Sequence, residues 1–166
     1  AEAIPLLLNE ECDLIALAQT GTGKTAAFGL PMLNNIANRK AISSIILAPT
    51  RELAIQVHDE LVKLAKYEKL DVVAVYGGAP IHNQIRDIKR ANIVVGTPGR
   101  VLDHIRRGTL PLDSVEFLVL DEADEMLNMG FIDDMEEIMK SIPEERQTLL
   151  FSATMPSQIK KLTKKY

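Results

Sequence analysis

The chain has few of the residues that build disulfide frameworks, base-stacking platforms or membrane spans. Its 166 residues include one cysteine, no tryptophan, three tyrosines and four phenylalanines. A single cysteine, Cys12, cannot form an internal disulfide, so we expect a protein of the reducing cytoplasm. No apolar run approaches the about 20 residues that a membrane-crossing helix needs. We therefore expect a soluble protein with no membrane partner.

The charge of the chain sets a second limit. The formal net charge is -4, which argues against binding nucleic acid through a global basic field. Because aromatics are scarce, the stacking of bases on side chains has little to build on. If nucleic acid binds, we expect local basic groups to contact its sugar-phosphate backbone.

The length fits one domain with a buried core, spanning residues 1–166. The first residue is Ala1, and the last residues, Lys160 to Tyr166, continue in a helical pattern without a stop signal. We therefore expect a monomeric piece of a longer protein.

Short apolar runs alternate with segments of helical periodicity along the chain. Alternation of this kind predicts an α/β fold: a mostly parallel sheet with helices on both faces. The six predicted strands are Leu14 to Ala18, Ser44 to Ala48, Val72 to Tyr76, Ile93 to Val95, Phe117 to Leu120 and Thr148 to Phe151.

A polar or glycine-rich set follows each predicted strand directly. Because ligands of open parallel sheets bind beyond the carboxyl ends of the strands, we expect all six sets to lie on one functional edge. Some have an ordinary structural interpretation, since Thr50 and Thr97 are suitable helix N-caps and Gly77-Gly78 suits a turn. The two interpretations are compatible, because a helix N-terminus is also a phosphate site.

The set after the first strand is typical of a phosphate-binding loop. Glycines allow backbone N–H groups to approach phosphate oxygens, and the helix that follows points its positive end at the anion. Lys24 would reach the outer phosphates, and the Thr25 hydroxyl would bind Mg²⁺. A tight turn before a helix is the plainer alternative. The predicted nucleotide-binding residues are Ala18, Gln19, Thr20, Gly21, Thr22, Gly23, Lys24 and Thr25.

The set after the fifth strand is Asp121-Glu122-Ala123-Asp124. Two adjacent carboxylates at a strand end can divide the work of a nucleotide triphosphatase. One can hold the water shell of Mg²⁺, and its neighbour can orient the attacking water. Together with the phosphate loop, these residues predict a nucleotide triphosphatase that uses Mg²⁺, with Lys24, Asp121 and Glu122 as its catalytic set.

These six sets, in this order, resemble the motifs of the DEAD-box ATP-dependent RNA helicases, in the first of their two RecA-like domains. The match runs from Ala18 to Thr154 and includes Gln84, Gly130-Phe131 and Phe151 to Pro156. The resemblance implies a RecA-like P-loop NTPase fold and RNA-stimulated ATP hydrolysis with local duplex unwinding. It assigns Mg²⁺ binding, through water, to Asp121 and the orientation of the attacking water to Glu122, with ATP and Mg²⁺ as cofactors.

The resemblance also implies roles beyond those argued from the residues themselves. Ser152 and Thr154 are expected to hydrogen-bond Asp124 and so couple the sites. The residues expected to contact the RNA backbone, independently of its sequence, are Thr50, Arg51, Gly78, Thr97, Gly99 and Arg100.

The chain departs from the family pattern in two ways. The adenine-reading Q motif is not found upstream of Ala18, and the second RecA-like domain, with its arginine-rich motif, is not in the sequence. We therefore expect the second domain as a partner and almost no turnover from this piece alone. Two alternatives stay open: a DNA helicase or translocase, and a nucleotide-switched RNA clamp or partner-binding module.

Two groups of residues have a plainer interpretation. His58, His82 and His104 lack metal-ligand spacing, and we interpret them as surface or capping residues. We interpret the methionines at helical spacing as core filler rather than as a binding groove. They are Met126, Met129, Met135 and Met139.

Overall fold

The computed structural model describes residues 14–17, 24–36 and 41–166. Six strands in this part of the chain form one sheet in the order β1-β6-β5-β2-β4-β3, and all neighbouring strands are parallel. The strands are β1 (Leu14–Leu17), β2 (Ser44–Leu47), β3 (Val72–Val75), β4 (Ile93–Gly96), β5 (Phe117–Leu120) and β6 (Gln147–Ser152).

Helices follow the strands and return the chain to the opposite edge of the sheet. Thr50 caps the second helix through its side chain, and Pro98 stands in the first turn of the fourth, where a missing N–H costs nothing. The described helices are α1 (Lys24–Asn35), α2 (Arg51–Leu64), α3 (Ile81–Ile88), α4 (Pro98–Arg106), α5 (Ala123–Asn128), α6 (Ile132–Ser141) and α7 (Ser157–Lys165). None of them is long and apolar enough to cross a membrane.

Side-chain alternation along the strands divides the core into two layers. Ile46 of β2 packs with residues of α1 and α2, whereas its neighbours Ile45 and Leu47 pack with residues of α3 to α7. Such continuous apolar strands are typical of parallel sheets that are covered on both faces. The predicted arrangement of helices on both faces is confirmed.

The register of the sheet aligns the carboxyl ends of the strands. Leu17 is level with Ser152, and Gly96 is level with both Leu47 and Val75. The ladder continues past the strand ends, since the Asp121 amide donates to the Leu47 carbonyl at 2.9 Å. We call this side of the sheet the carboxyl edge.

The predicted strands agree with the observed ones to within one residue at each end. The interpretation of the methionines is correct for Met126, Met135 and Met139, which are buried, and wrong for Met129, which is 49% exposed. Met129 follows the end of α5, where the chain turns through Gly130 at φ 84° and the helical periodicity no longer applies.

Gly96 ends β4 directly before the Thr97-Pro98-Gly99-Arg100 set, and its lack of a side chain is required by packing. An added Cβ would lie 2.6 Å from both Val75 Cγ2 and Val101 Cγ2. We expect Gly96→Ala to lower the free energy of unfolding by about 1 to 3 kcal/mol, the usual cost of overpacking.

Chemical denaturation of Gly96→Ala and of Gly77→Ala would check this expectation. Gly77 is the matched control, because an added Cβ there meets no atom within 4 Å. Equal stability of the two variants would contradict the packing argument.

Candidate functional site

The half of the carboxyl edge that is predicted to bind nucleotide lies at β1, β6 and β5. Residues Ala18 to Gly23 and the side chain of Lys24 lie outside the described residues, so their predicted roles stay predictions. Helix α1 begins at Lys24, and its Thr25 is 7% exposed. The Phe28 ring lies 5.5 Å from the Phe151 ring of β6, which fixes the start of α1 against the end of that strand.

The two carboxylates after β5 are buried at the same edge. Asp121 is 3% and Glu122 is 7% exposed. Glu122 has a left-handed backbone, with φ 53° and ψ 53°. A residue with a Cβ pays roughly 1 kcal/mol or more for this conformation, and such outliers cluster at functional sites. This turn lies between the end of β5 and the start of α5 at Ala123.

The donor set at this edge suits Mg²⁺. Magnesium prefers hard oxygen ligands and retains several of its waters. The Thr25 hydroxyl and the Asp121 carboxylate provide such oxygens, and both residues are buried. Thr25 stands in the first turn of α1 and Asp121 directly follows β5, and both β1 and β5 neighbour β6 in the sheet. Their oxygens are of the type that a hydrated Mg²⁺ would take.

Asp124 links α5 to the segment after β6. Its carboxylate oxygen Oδ2 accepts hydrogen bonds from the Thr154 amide at 3.1 Å and from the Thr154 hydroxyl at 3.0 Å. Its own amide donates to Ser152 Oγ at 3.2 Å. The hydrogen bonds that the resemblance implied are therefore present, and their part in coupling stays a prediction.

The pKa of the Asp124 carboxyl lies below its ordinary value. Burial raises this pKa, but hydrogen bonds, led by that from the Thr154 hydroxyl, outweigh burial and lower it. The carboxylate is therefore ionised throughout the neutral range, and its ionised form holds Thr154 to α5.

The other half of the carboxyl edge lies at β2, β4 and β3. Thr50 caps α2 by accepting a hydrogen bond from the Leu53 amide at 3.2 Å. Arg51 is exposed, and its guanidinium carbon lies 4.9 Å from the centre of the Tyr76 ring. Gly78 has φ 87°, and a Cβ there would lie 3.7 Å from Arg51 Nη1. Three of the residues predicted to contact RNA are thus neighbours.

The Thr97-Pro98-Gly99-Arg100 set begins α4. Thr97 occupies the N-cap position without a side-chain cap hydrogen bond, so its hydroxyl is not the capping group that the sequence suggested. Arg100 is half-buried, and its Nη1 donates to the Ala79 carbonyl at 3.1 Å and to Gln84 Oε1 at 3.0 Å. By this bond to Ala79, the Arg100 guanidinium holds the segment that follows Gly77-Gly78 close to α4.

His104 is fully buried, which corrects its interpretation as a surface or capping residue. Its Nε2 lies 3.0 Å from Gln84 Oε1, and its Nδ1 lies 2.8 Å from Thr109 Oγ1. Burial, and then the nearby Arg100 charge, lower the pKa of His104 below its ordinary value. The imidazole is therefore neutral at pH 7, with Nε2–H donating to the amide oxygen.

Sequence reasoning missed this buried network of Gln84, Arg100 and His104. A signal was present: Gln84 stands four residues before the buried Ile88, and His104 stands three residues after the buried Val101. These spacings place both polar side chains on the core-facing stripes of α3 and α4. A buried polar group needs a hydrogen-bond partner, and here Gln84 and His104 are partners of each other.

Helix α6 links the two halves of the carboxyl edge, because it follows α5 in the chain and packs against α4. Arg106 of α4 donates to Glu137 of α6 at 2.7 Å. At the other end of α4, a Cβ on Gly99 would lie 4.0 Å from Asp134 Oδ2. Helix α6 follows α5 after a short turn, and α5 begins within the Asp121 to Asp124 segment. The helix that contacts α4 is therefore close in sequence to the two carboxylates.

We expect Asp124→Asn to lower the free energy of unfolding at neutral pH by about 1 to 3 kcal/mol, because an amide nitrogen then faces donors. The depressed pKa of Asp124 sets the pH dependence. Its contribution is full above the ordinary carboxyl pKa of about 4 and is lost as the pH falls through the folded-state value.

Denaturation curves between pH 7 and pH values below about 4 would measure this stability difference, which should shrink as the pH falls. Asp113→Asn is the control, since Asp113 is exposed before β5 on the opposite edge. A difference that stays constant with pH would contradict the assignment.

Comparisons with known proteins agree with this geometry. A family model described as DEAD/DEAH box helicase matches residues 1–162. ATP-dependent RNA helicase CshA of Listeria monocytogenes is 62% identical, over 99% of this chain and 32% of its own length. A probable ATP-dependent RNA helicase of Methanocaldococcus jannaschii is 54% identical, over 99% of this chain and 45% of its own length.

Solved structures are similar over the same range. The crystal structure of a DEAD box protein from the hyperthermophile Methanococcus jannaschii has a TM-score of 0.96 and 54% identity, over 99% of this chain and 46% of that one. That of a hypothetical ATP-dependent RNA helicase from Sulfolobus tokodaii has a TM-score of 0.92 and 41% identity, over 99% of this chain and 48% of that one.

This chain thus spans less than half the length of these relatives. The match of the family model over nearly the whole chain, together with the all-parallel six-stranded sheet, gives both family and fold. The chain belongs to the DEAD/DEAH box helicase family and has the RecA-like fold of its structural neighbours.

Proposed function

We propose that the chain is the first, ATP-binding RecA-like domain of a cytoplasmic ATP-dependent RNA helicase. In this proposal it couples hydrolysis of ATP, with Mg²⁺, to binding of the RNA backbone and local unwinding of duplexes. The supporting observation is the arrangement of the carboxyl edge: buried carboxylates and Thr25 at β1, β6 and β5, and exposed Arg51 with Gly78 and Arg100 at β2, β4 and β3.

On the nucleotide side, the proposed roles follow from burial and chemistry. The backbone from Ala18 to Gly23 and the Lys24 ammonium would hold the phosphates at the start of α1. Thr25 and Asp121 would hold Mg²⁺, the latter through water. Glu122, at the left-handed turn before α5, would accept a hydrogen bond from the attacking water and orient it. ATP would provide the phosphoanhydride bond that is hydrolysed.

On the RNA side, the groups available are those that contact backbone rather than bases. They are the exposed Arg51 guanidinium, the N-termini of α2 and α4, and the backbone at Gly78 and Gly99. Helix N-termini and arginines bind phosphate oxygens, which carry no sequence information. Recognition would therefore be independent of RNA sequence.

The described residues on the nucleotide side include no arginine that could stabilise the transition state. They are β1, β5 and β6 with the turns that follow them, up to Thr154. An arginine finger is typically worth about 10³ to 10⁵ in rate. We propose that the second RecA-like domain supplies it, so that this monomeric chain alone has almost no turnover.

The nucleotide roles predict different effects for two substitutions in the protein that carries both domains. Lys24→Ala should cost about 2 to 5 kcal/mol of ATP binding, because it removes a charge from buried phosphates. Glu122→Gln should preserve binding and slow hydrolysis by about 10² to 10⁴. Calorimetry with ATP and Mg²⁺, together with phosphate release, would measure both effects.

Glu125→Gln is the control for Glu122→Gln, since Glu125 is an exposed carboxylate on α5, the short helix that follows Glu122. Hydrolysis by Glu122→Gln at the parent rate would contradict the assignment of Glu122 to the attacking water.

The RNA roles predict a salt effect. Arg51→Ala and Arg100→Ala should each weaken RNA binding for all sequences alike and lower the slope of log affinity against log salt by roughly 1, because one fewer phosphate is neutralised. Arg86→Ala is the control, since its side chain is 73% exposed on α3, towards the opposite edge.

Filter binding to RNAs and DNAs of several sequences, across a range of salt concentrations, would measure these slopes. A loss confined to particular sequences would contradict backbone recognition, and equal binding of DNA would favour the DNA translocase alternative.

A further inference from the structure

The contact between Arg51 and Tyr76 joins the start of α2 to the segment after β3. The guanidinium carbon of Arg51 lies over the Tyr76 ring, 4.9 Å from its centre. Arg51 is exposed while Tyr76 is half-buried, so the ring presents one face to the guanidinium. An arginine in this position is attracted by the negative face of the ring and restricted in its rotamers.

The Tyr76 segment is itself held in place. The Tyr76 carbonyl accepts a hydrogen bond of 3.0 Å from Nε2 of Gln84, a residue that is 5% exposed. Gln84 has one orientation only, because its amide oxygen receives the Arg100 Nη1 donor and its amide nitrogen faces a carbonyl. His104 also contacts the amide oxygen, and its Nε2–H donates to it.

These contacts form a continuous connection between the two arginines assigned to RNA. Arg51 rests on the Tyr76 ring, the Tyr76 backbone is bound by Gln84, and Gln84 binds Arg100. Gly78, at φ 87°, leaves the space beside Arg51 Nη1 clear of a side chain. The Tyr76 ring therefore supports the Arg51 guanidinium on one side.

We propose that Tyr76 is a positioning residue for RNA binding: its ring holds the Arg51 guanidinium ready for a backbone phosphate, in fixed relation to Arg100. Tyr76 acts through Arg51 and does not itself contact RNA. This inference rests on the proposed function, since it assumes that Arg51 binds RNA. Preorganisation raises affinity because less rotamer freedom is lost on binding.

The test uses the protein with both domains and a single-stranded RNA, with and without a non-hydrolysable ATP analogue. Tyr76→Leu should weaken RNA binding by about two- to five-fold, the range of an exposed cation–π contact. Tyr76→Phe keeps the ring and should bind RNA as the parent does. Tyr67→Leu is the matched control, because Tyr67 is 86% exposed and its ring contacts Lys66, after the end of α2 on the opposite edge.

A double-mutant cycle separates positioning from other roles. In the Arg51→Ala background, Tyr76→Leu should have no further effect on RNA affinity. A further loss in that background would overturn the proposal and indicate that the ring contacts RNA directly. A loss in Tyr76→Phe as large as that in Tyr76→Leu would overturn it in favour of the hydroxyl.

The cycle also distinguishes failure of this inference from failure of the proposed function. If Arg51→Ala itself leaves RNA binding unchanged, the RNA role of Arg51 is wrong. If Arg51→Ala weakens binding while Tyr76→Leu does not, the proposed function stands and Tyr76 is not a positioning residue. Thermal unfolding of each variant checks that it is folded, and Tyr76, being half-buried, tolerates replacement better than a core residue.

Discussion

The hydrogen-bonded register of the six parallel strands determines where the other elements of the chain lie. Because neighbouring strands end level with one another, their following segments are brought to one carboxyl edge although they are far apart in the chain. The strand order then divides that edge. The predicted phosphate loop follows β1 in the sequence and the two carboxylates follow β5, whereas the arginine-bearing segments follow β2 and β4.

The boundary between the halves is a pair of adjacent strands, β5 and β2. The Asp121 amide donates to the Leu47 carbonyl across this boundary. Beyond it, α6 continues from the carboxylate segment and packs against α4, through Arg106 and Glu137 at one end and beside Gly99 at the other. Asp124 fixes α5 to the segment after β6. A displacement of Asp121 or Glu122 could therefore be transmitted to α4 through α5 and α6. We expect the two halves of the edge to be coupled because these elements are in continuous contact.

Local patterns in the sequence predicted the strands, because an apolar run followed by a polar set is a feature of adjacent residues. Side-chain pairings between distant segments were not predictable in this way. Gln84 and His104 are 20 residues apart, and neither spacing nor composition indicates that each satisfies the other. The ring of Tyr76 beneath Arg51 was missed for the same reason, since the two residues are brought together only by the sheet order. Glu122 adopts a left-handed backbone conformation, which residues with a Cβ usually avoid, so the local sequence did not indicate this turn.

We propose that the carboxyl edge carries half of an ATPase and that a second domain completes it. Steady-state phosphate release tests this proposal when it is measured for the 166-residue chain and for the two-domain protein, each with and without RNA. We expect almost no release from the chain alone, and a rate higher by orders of magnitude and dependent on RNA when the second domain is present. Full RNA-stimulated release from the chain alone would show that the ATPase is self-contained.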